Sequence, residues 1–338
     1  MNKKRVLAML LAGAMALSMT ACGGNSASTD GSSNDGGASA SGGSYKVSVI
    51  LKTLAAEYWQ YVKSGAEDYA SEHSGKVTVE VKGPSSETAF DEMQNMIETD
   101  LSSGSYDGVI ISPLQSDTAA QLVSGTKLPI VAIDTNFTAP EVKSFVGTGN
   151  EAAAKKGGEA AVEAAKAAGW TDIKCIEIAG VQGDQTNTAR MNGYKAGVEE
   201  AGGTFLSDEV QYADATADRA TTAMEAIMQT HPEGIAIICA NNDDMAMAAA
   251  RAAQGHDAYK NTIFLGFNGD RAACEAILAG QMTMSVAQMA YEMGYKAVET
   301  MVQVLDGETV DEFVDSGSDV VTPDNAQERL DTLKTQLH

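Results

Sequence analysis

The sequence predicts an α/β protein built as two doubly wound, parallel-sheet lobes with a ligand cleft between them. Three observations carry this. From Tyr45 onward, apolar runs of strand length alternate with segments whose apolar residues recur at helical spacing, the pattern of βαβ units. The alternation falls into two similar halves of about equal length, which suits two lobes better than one enlarged sheet. The conspicuous polar residues follow directly on the carboxyl ends of the apolar runs, the edge at which open α/β sheets bind ligands.

In the first half, residues 45–51 alternate apolar and polar, a strand with one wetted face, and residues 58–69 carry apolar positions at helical spacing. Residues 76–82 read as a second strand. A helix over 87–101 takes Phe90, Met93, Ile97 and Leu101 as its inner stripe. The run 107–112 is a buried strand ended by Pro113, and a short helix follows at 116–123. Residues 128–134 form another apolar strand, ending in Asp134-Thr135-Asn136.

The second half repeats the plan. A short strand at 144–147 leads to an Ala-rich helix over 151–168, stopped by Gly169. The strand 173–179 is broken by Gly180 to Asp184 before a helix over 188–201. Residues 204–212 are extended and 218–229 helical. The run 234–240 is apolar throughout, as a strand buried on both faces must be, and stops at Asn241, Asn242, Asp243 and Asp244. Asn and Asp there can cap the next helix or face a ligand. Residues 262–267 form a strand ending in Asn268-Gly269-Asp270, then come a helix at 272–278, a strand at 283–287 and a helix at 291–305. A last helix over 327–337 places Leu330, Leu333 and Leu337 on one face.

The amino terminus has a different character. Lys3, Lys4 and Arg5 precede an apolar stretch over 6–17 and then Ser18-Met19-Thr20-Ala21-Cys22, which reads as a secretory signal peptide over 1–21. The apolar stretch falls short of the ~20 residues of a membrane span. Thr20-Ala21-Cys22 resembles the bacterial lipobox, in which cleavage exposes a lipid-modified Cys; an ordinary secreted protein with a stray Cys is the alternative. Residues 23–44 are nearly all Gly, Ser, Ala, Asn and Asp, the composition of a flexible tether. An exported protein held at the outer face of the cell membrane by lipid on Cys22 is the expectation.

Formal charge is −23, and removing the three basic leader residues leaves 20 basic against 46 acidic, or −26. So acidic a chain does not seek nucleic acid non-specifically. Beyond Cys22 the cysteines are Cys175, Cys239 and Cys274, in no metal or Cys-x-x-Cys spacing, and four scattered His give a zinc site little to stand on. No metal and no cofactor are expected.

The residues collected after strand ends have a shared chemistry. Asp134 can accept two hydroxyls and Arg190 offers a fork of donors. Asn242, Asn268 and Gln288 each present a donor and an acceptor, matching hydroxyls that do both. Tyr58 and Trp59 offer flat faces suited to the C–H side of a sugar ring, with core packing at a helix start as the alternative. Catalytic signatures are missing: there is no Gly-x-Ser-x-Gly elbow, phosphate loop, His-Glu-x-x-His or Rossmann glycine pattern after the first strand. Asp243 and Asp244 suit the first turn of a helix better than acid–base work. The expectation is a binder with no catalytic residues.

From about residue 45 to 325 the chain resembles the type I periplasmic sugar-binding proteins of ABC transporters, in their ribose-binding branch. The resemblance rests on Ile133-Asp134, Thr188-Ala189-Arg190-Met191-Asn192-Gly193, Ala240-Asn241-Asn242-Asp243-Asp244-Met245-Ala246, Leu265-Gly266-Phe267-Asn268-Gly269 and Val286-Ala287-Gln288 in that order. It implies two lobes joined by a three-segment hinge and closing on a sugar. One lobe takes residues 45–147 and 289–318, the other 148–288 and 319–338. It also implies stacking by Tyr58 and Trp59, hydrogen bonds to hydroxyls from Asp134, Arg190, Asn242 and Gln288, and delivery by a monomer to a membrane permease. Asn268 stands where many relatives have Asp. The ribose-type pattern has Asn near Ala55-Ala56, Arg where Thr135 stands, and an aromatic near Thr216-Ala217. These departures point away from ribose itself, toward a hexose, a polyol or a mildly acidic sugar. Presentation of a ligand to a membrane sensor, binding of a sugar acid or nucleoside, a transcription repressor and an exported hydrolase are the competing readings. The repressor lacks a basic DNA-reading element, and the hydrolase lacks a nucleophile and base.

Overall fold

The computed structural model describes residues 44–337. The signal sequence, Cys22 and nearly all of the tether therefore lie outside the described residues, as does His338. Among the described residues, no helix is long and apolar enough to cross a membrane.

Two sheets organise the chain. The first takes β1 (Tyr45–Ile50), β2 (Val77–Lys82), β3 (Gly108–Ile111), β4 (Ile130–Ile133), β5 (Val142–Gly147) and a late strand, β12 (Phe313–Asp315), in the order β12-β5-β4-β3-β1-β2, all parallel. Side chains of successive strand residues point to opposite faces, so an unbroken apolar strand requires cover on both sides. Ile110, Val131 and Ile133 face α1 (Glu57–Glu72) and α9 (Ala290–Leu305), whereas Val109, Ile111 and Ile130 face α2 (Phe90–Ser103) and α3 (Ser116–Val123).

The second sheet takes β6 (Lys174–Ala179), β7 (Thr204–Phe205), β9 (Ile237–Ala240), β10 (Ile263–Asn268), β11 (Met284–Gln288) and β13 (Ser318–Val321), in the order β13-β11-β10-β9-β6-β7, with β8 (Gln211–Tyr212) also on β6. Only β13 runs antiparallel, against β11. One face is covered by α4 (Asn150–Ala167) and α5 (Gln185–Glu200), the other by α6 (Ala217–Thr230), α7 (Asp243–Ala253) and α8 (Arg271–Leu278). The last helix, α10 (Ala326–Gln336), lies against α8. The chain passes between the sheets three times: from β5 into α4, from β11 into α9, and from β12 into β13. Thr148 Oγ1 and Ser316 Oγ, 3.4 Å apart, tie the first and third crossings together.

The expected alternation is present, with differences at particular elements. Phe90 is exposed rather than part of the inner stripe, because it is the first residue of α2 and the buried cluster starts one turn later at Met93. Leu337 ends α10 as its C-cap and is half-buried, while Leu330 and Leu333 carry the packing. The extension expected over 204–212 is two short strands separated by a single 3-10 turn. Helix α5 starts three residues earlier than its apolar spacing indicates, because the Asp184 side chain accepts from the Asn187 amide and caps it. Strands β12 and β13 went unseen in the sequence, being short edge strands with little apolar content.

Candidate functional site

The carboxyl ends of both sheets face one cavity of about 650 Å³, within the roughly 300–1,000 Å³ range of small-molecule sites. All seven residues singled out from the sequence, from Tyr58 to Gln288, line it. A second cavity of about 640 Å³ lies within the second lobe, beside Arg251, His256, Lys260 and the amino ends of β10 and β11. It takes no residue from the first lobe.

On the first-lobe wall, Asp134 follows β4 with φ 61°. Its Oδ1 accepts from the Tyr58 hydroxyl at 2.8 Å and its Oδ2 from Thr135 Oγ1 at 2.9 Å, leaving lone pairs for further donors. Burial, followed by the charge of Asp134, pushes the Tyr58 phenol well above its usual pKa and keeps it a donor. Trp59 packs edge-on against Tyr58 and donates its indole N–H to Glu87. Both aromatic side chains are buried although adjacent in sequence, one reaching Asp134 and the other Glu87.

On the second-lobe wall, Arg190 is immobilised from three sides. Its Nε donates to Asn150 Oδ1 and its Nη1 to the Asn241 carbonyl, both at 2.8 Å, and the guanidinium lies 3.9 Å from the centre of the Phe267 ring. A further chain of bonds fixes this frame: Asn241 Nδ2 donates to Asn187 Oδ1, which also accepts from the Gly180 amide. The remaining nitrogen, Nη2, has no partner among the described residues.

Asn242 proves to be a cap as well as a wall. Its Oδ1 accepts from the Met245 amide at the start of α7 and its Nδ2 donates to the Ala215 carbonyl, so both polar atoms are engaged within the protein. Asp243 is fully buried and is no surface first-turn acid: it accepts from Ser285 Oγ and from the Gly269 and Asp270 amides, binding β9 to the ends of β10 and β11. Gln288 Nε2 donates to Asn268 Oδ1, and its buried Oε1 has no partner among the described residues.

Every non-glycine residue with positive φ among the described residues, namely Asp134, Asp214, Ala215 and Asn268, lines this cavity. Such backbone costs of order 1–3 kcal/mol per residue and gathers where side chains must be aimed. Groups of acids, His and Cys able to hold a metal do not occur among the described residues.

Lys52 is a cavity residue that sequence reasoning missed. It follows β1 and reaches Asp184 of the other lobe at 3.8 Å. Burial works to lower its pKa, but Asp184, Asp134 and Glu87 outweigh that and raise it. The available signal was a lone lysine directly after an apolar strand, at the edge where the other candidates lie. A second ion pair spans the cavity mouth: Arg271 Nε at the start of α8 meets Glu57 Oε1 at the start of α1 at 3.0 Å, and the Tyr61 hydroxyl donates to the same oxygen.

Comparison with known proteins follows the same lines. The model of the periplasmic binding protein domain matches residues 47–309. The D-allose-binding periplasmic protein of Escherichia coli (strain K12) is 30% identical over 264 residues, covering 75% of this chain and 82% of that protein. The ribose import binding protein of Bacillus subtilis (strain 168) is 26% identical over 274 residues, 80% of this chain and 85% of that one. Among solved structures, an ABC transporter solute binding protein from Bacillus halodurans C-125 with bound myo-inositol superposes with a TM-score of 0.74 at 22% identity, over 86% of this chain and 99% of that one. One from Agrobacterium vitis with bound D-fucose gives 0.74 at 23% identity, over 87% and 100%. At those identities the two structures bear on the fold.

Proposed function

This chain belongs to the periplasmic binding protein domain family, and from that premise we propose that it is the solute-binding component of an ABC importer, taking a monosaccharide or related polyol between its lobes. The observation that carries the reading is the wall chemistry. A guanidinium held on three sides with one nitrogen left over and a carboxylate with open lone pairs line the cavity from the two lobes, and a buried amide oxygen lacks a donor among the described residues. Hydroxyl groups, which donate and accept, satisfy all three. The relatives named for D-allose and ribose support a ligand of that class.

In this reading Asp134, Arg190 and Gln288 bond the ligand hydroxyls, Tyr58 and Trp59 supply the apolar surface, and Asn242 and Asn268 shape the wall. The lobes divide at the three crossings, near residues 147, 288 and 318, which act as the hinge. The free protein samples open states and the ligand stabilises the closed one through contacts to both lobes. Lipid on Cys22 holds the protein at the outer face of the membrane, where it hands its ligand to a permease as a monomer; the lipobox-like segment and the tether support that placement.

The test is a thermal-shift screen against pentoses, hexoses, polyols, sugar acids and nucleosides, followed by solution scattering. A ligand at ~100 times its Kd adds about 2.7 kcal/mol of stability. Arg190→Ala is expected to abolish ligand-induced compaction. Unchanged affinity and compaction in that variant refute the site.

A further inference from the structure

The charge lining the cavity narrows the ligand further. Seven carboxylates line it, those of Glu57, Glu87, Asp134, Asp184, Asp214, Asp244 and Asp270, against two cationic side chains, Lys52 and Arg190. Three of the seven are matched: Asp184 by Lys52, Glu57 by Arg271 and Asp214 by Arg219. Among the described residues, Asp134, Glu87, Asp244 and Asp270 have no cation within ion-pair distance; Lys52 acts on Asp134 and Glu87 from further off, and Arg329 acts on Asp270. Arg329, behind Asp270, donates to the carbonyls of Gly269 and Gln288. Thr135, next to Asp134, adds no charge.

An acidic lining alone means little, because carboxylates also serve hydroxyls. Gln288 adds an independent observation. Its side chain is about 1% exposed, its Nε2 is committed to Asn268 Oδ1, and the Oε1 left over is a buried acceptor with nothing to accept from. With Nε2 given to Asn268 Oδ1, the atom left over is an acceptor, and a ligand atom that meets it is a donor. Resting on the sugar-binding reading above, we propose that the ligand carries a primary ammonium group, as an amino sugar or amino polyol does, seated toward Gln288 and the Asp270–Asp244 side of the cleft. An ammonium is donor-only, suits an orphan acceptor beside carboxylates, and is drawn in by the field of a cleft dominated by one sign. The same field opposes the mildly acidic sugar that the sequence left open.

Isothermal titration of the purified full-length protein tests this. The probes are glucosamine, galactosamine and mannosamine, each beside its parent hexose and N-acetyl derivative, together with allose, myo-inositol, glucuronate and galacturonate. The expected result is that at least one amine binds about tenfold or more tighter than its parent and N-acetyl forms, by the charge-assisted bond and the field. Added salt shrinks that advantage, and the paired substitution Asp244→Asn with Asp270→Asn shrinks it too; Asn retains the oxygen with which Asp270 caps α8. Parent hexoses, allose or myo-inositol binding as well as the amines overturns the ammonium and leaves the sugar-binding reading standing. Preference for the uronates overturns it as well. If no carbohydrate or polyol of the panel binds, the sugar-binding reading fails and this inference falls with it.

Discussion

Glu177 sits in β6 with no exposed surface, and neither carboxyl oxygen has a hydrogen-bond partner among the described residues. Burial pushes it up to about 8, against the opposing pull of Arg190 and of the nearby Asn241 amide. It is therefore largely neutral at pH 7, and the positive charge of Arg190 remains available to the cleft. Because the folded pKa stands above the ordinary 4.5, its contribution to stability is complete below pH 4.5 and is lost as the pH rises toward 8. Glu177→Gln removes that loss: wild type should weaken relative to the variant by about 3–5 kcal/mol between pH 4.5 and 8.5. Parallel profiles of Tm against pH for the two proteins would show that Glu177 has the same pKa in the folded and unfolded chain, and would refute the shift. At this scale the sequence is legible for residue type and position, since Asp134 stands out directly after a strand and Arg190 in the helix that follows one. It is silent about partners. Arg190 draws on Asn150, Asn241 and Phe267, which are 40, 51 and 77 positions away, and only the fold brings them together.

Helices explain why glycine and alanine are so frequent in this chain. In the first lobe α1 crosses α9 closely enough that a Cβ on Gly65 would stand 1.9 Å from the Tyr291 carbonyl oxygen, and one on Gly294 1.9 Å from that of Val62. In the second lobe α4 and α5 meet in the same way, with Gly193 and Gly197 against the carbonyls of Glu151 and Lys155 at 2.2 and 2.1 Å. Backbone on both sides of each contact leaves nothing that can swing away. Gly65→Ala and Gly294→Ala should each cost about 1–3 kcal/mol through forced separation of the helices. Gly75→Ala, with nothing within 4 Å, should stay within about 0.5 kcal/mol. Denaturant melts of the three variants decide it, and equal midpoints would refute the tight crossing. The sequence shows these helices by their spacing but not which pairs touch, because a buried glycine and a helix-weakening one look alike along the chain. Edge strands are harder still: β12 and β13 span three and four residues and carry too little periodicity to separate from loop.

For the molecule as a whole, polar bridges join the two lobes around the cleft. Lys52–Asp184 closes one side, Thr135 Oγ1 and Thr186 Oγ1 lie 3.4 Å apart, and Glu57–Arg271 spans the mouth. The Glu57–Arg271 pair is partly solvated, with side-chain exposures of 26% and 52%. It belongs with pairs worth up to about 1 kcal/mol. A contribution of that size, made only when the lobes are together, changes the ratio of closed to open molecules by about two- to fivefold. Arg271→Gln should therefore raise the radius of gyration of the ligand-free protein and raise the Kd for a bound sugar by about two- to fivefold. The change should appear mainly in dissociation, since the pair forms after the ligand has entered. Salt offers the second arm. If the pair biases closure, added salt should act on wild type as the substitution does and should have less left to act on in the variant, because solvated pairs are screened. Equal salt sensitivity of wild type and Arg271→Gln, in both scattering and dissociation rate, would remove this pair from the closing equilibrium and leave closure to the ligand and the Lys52 bridge.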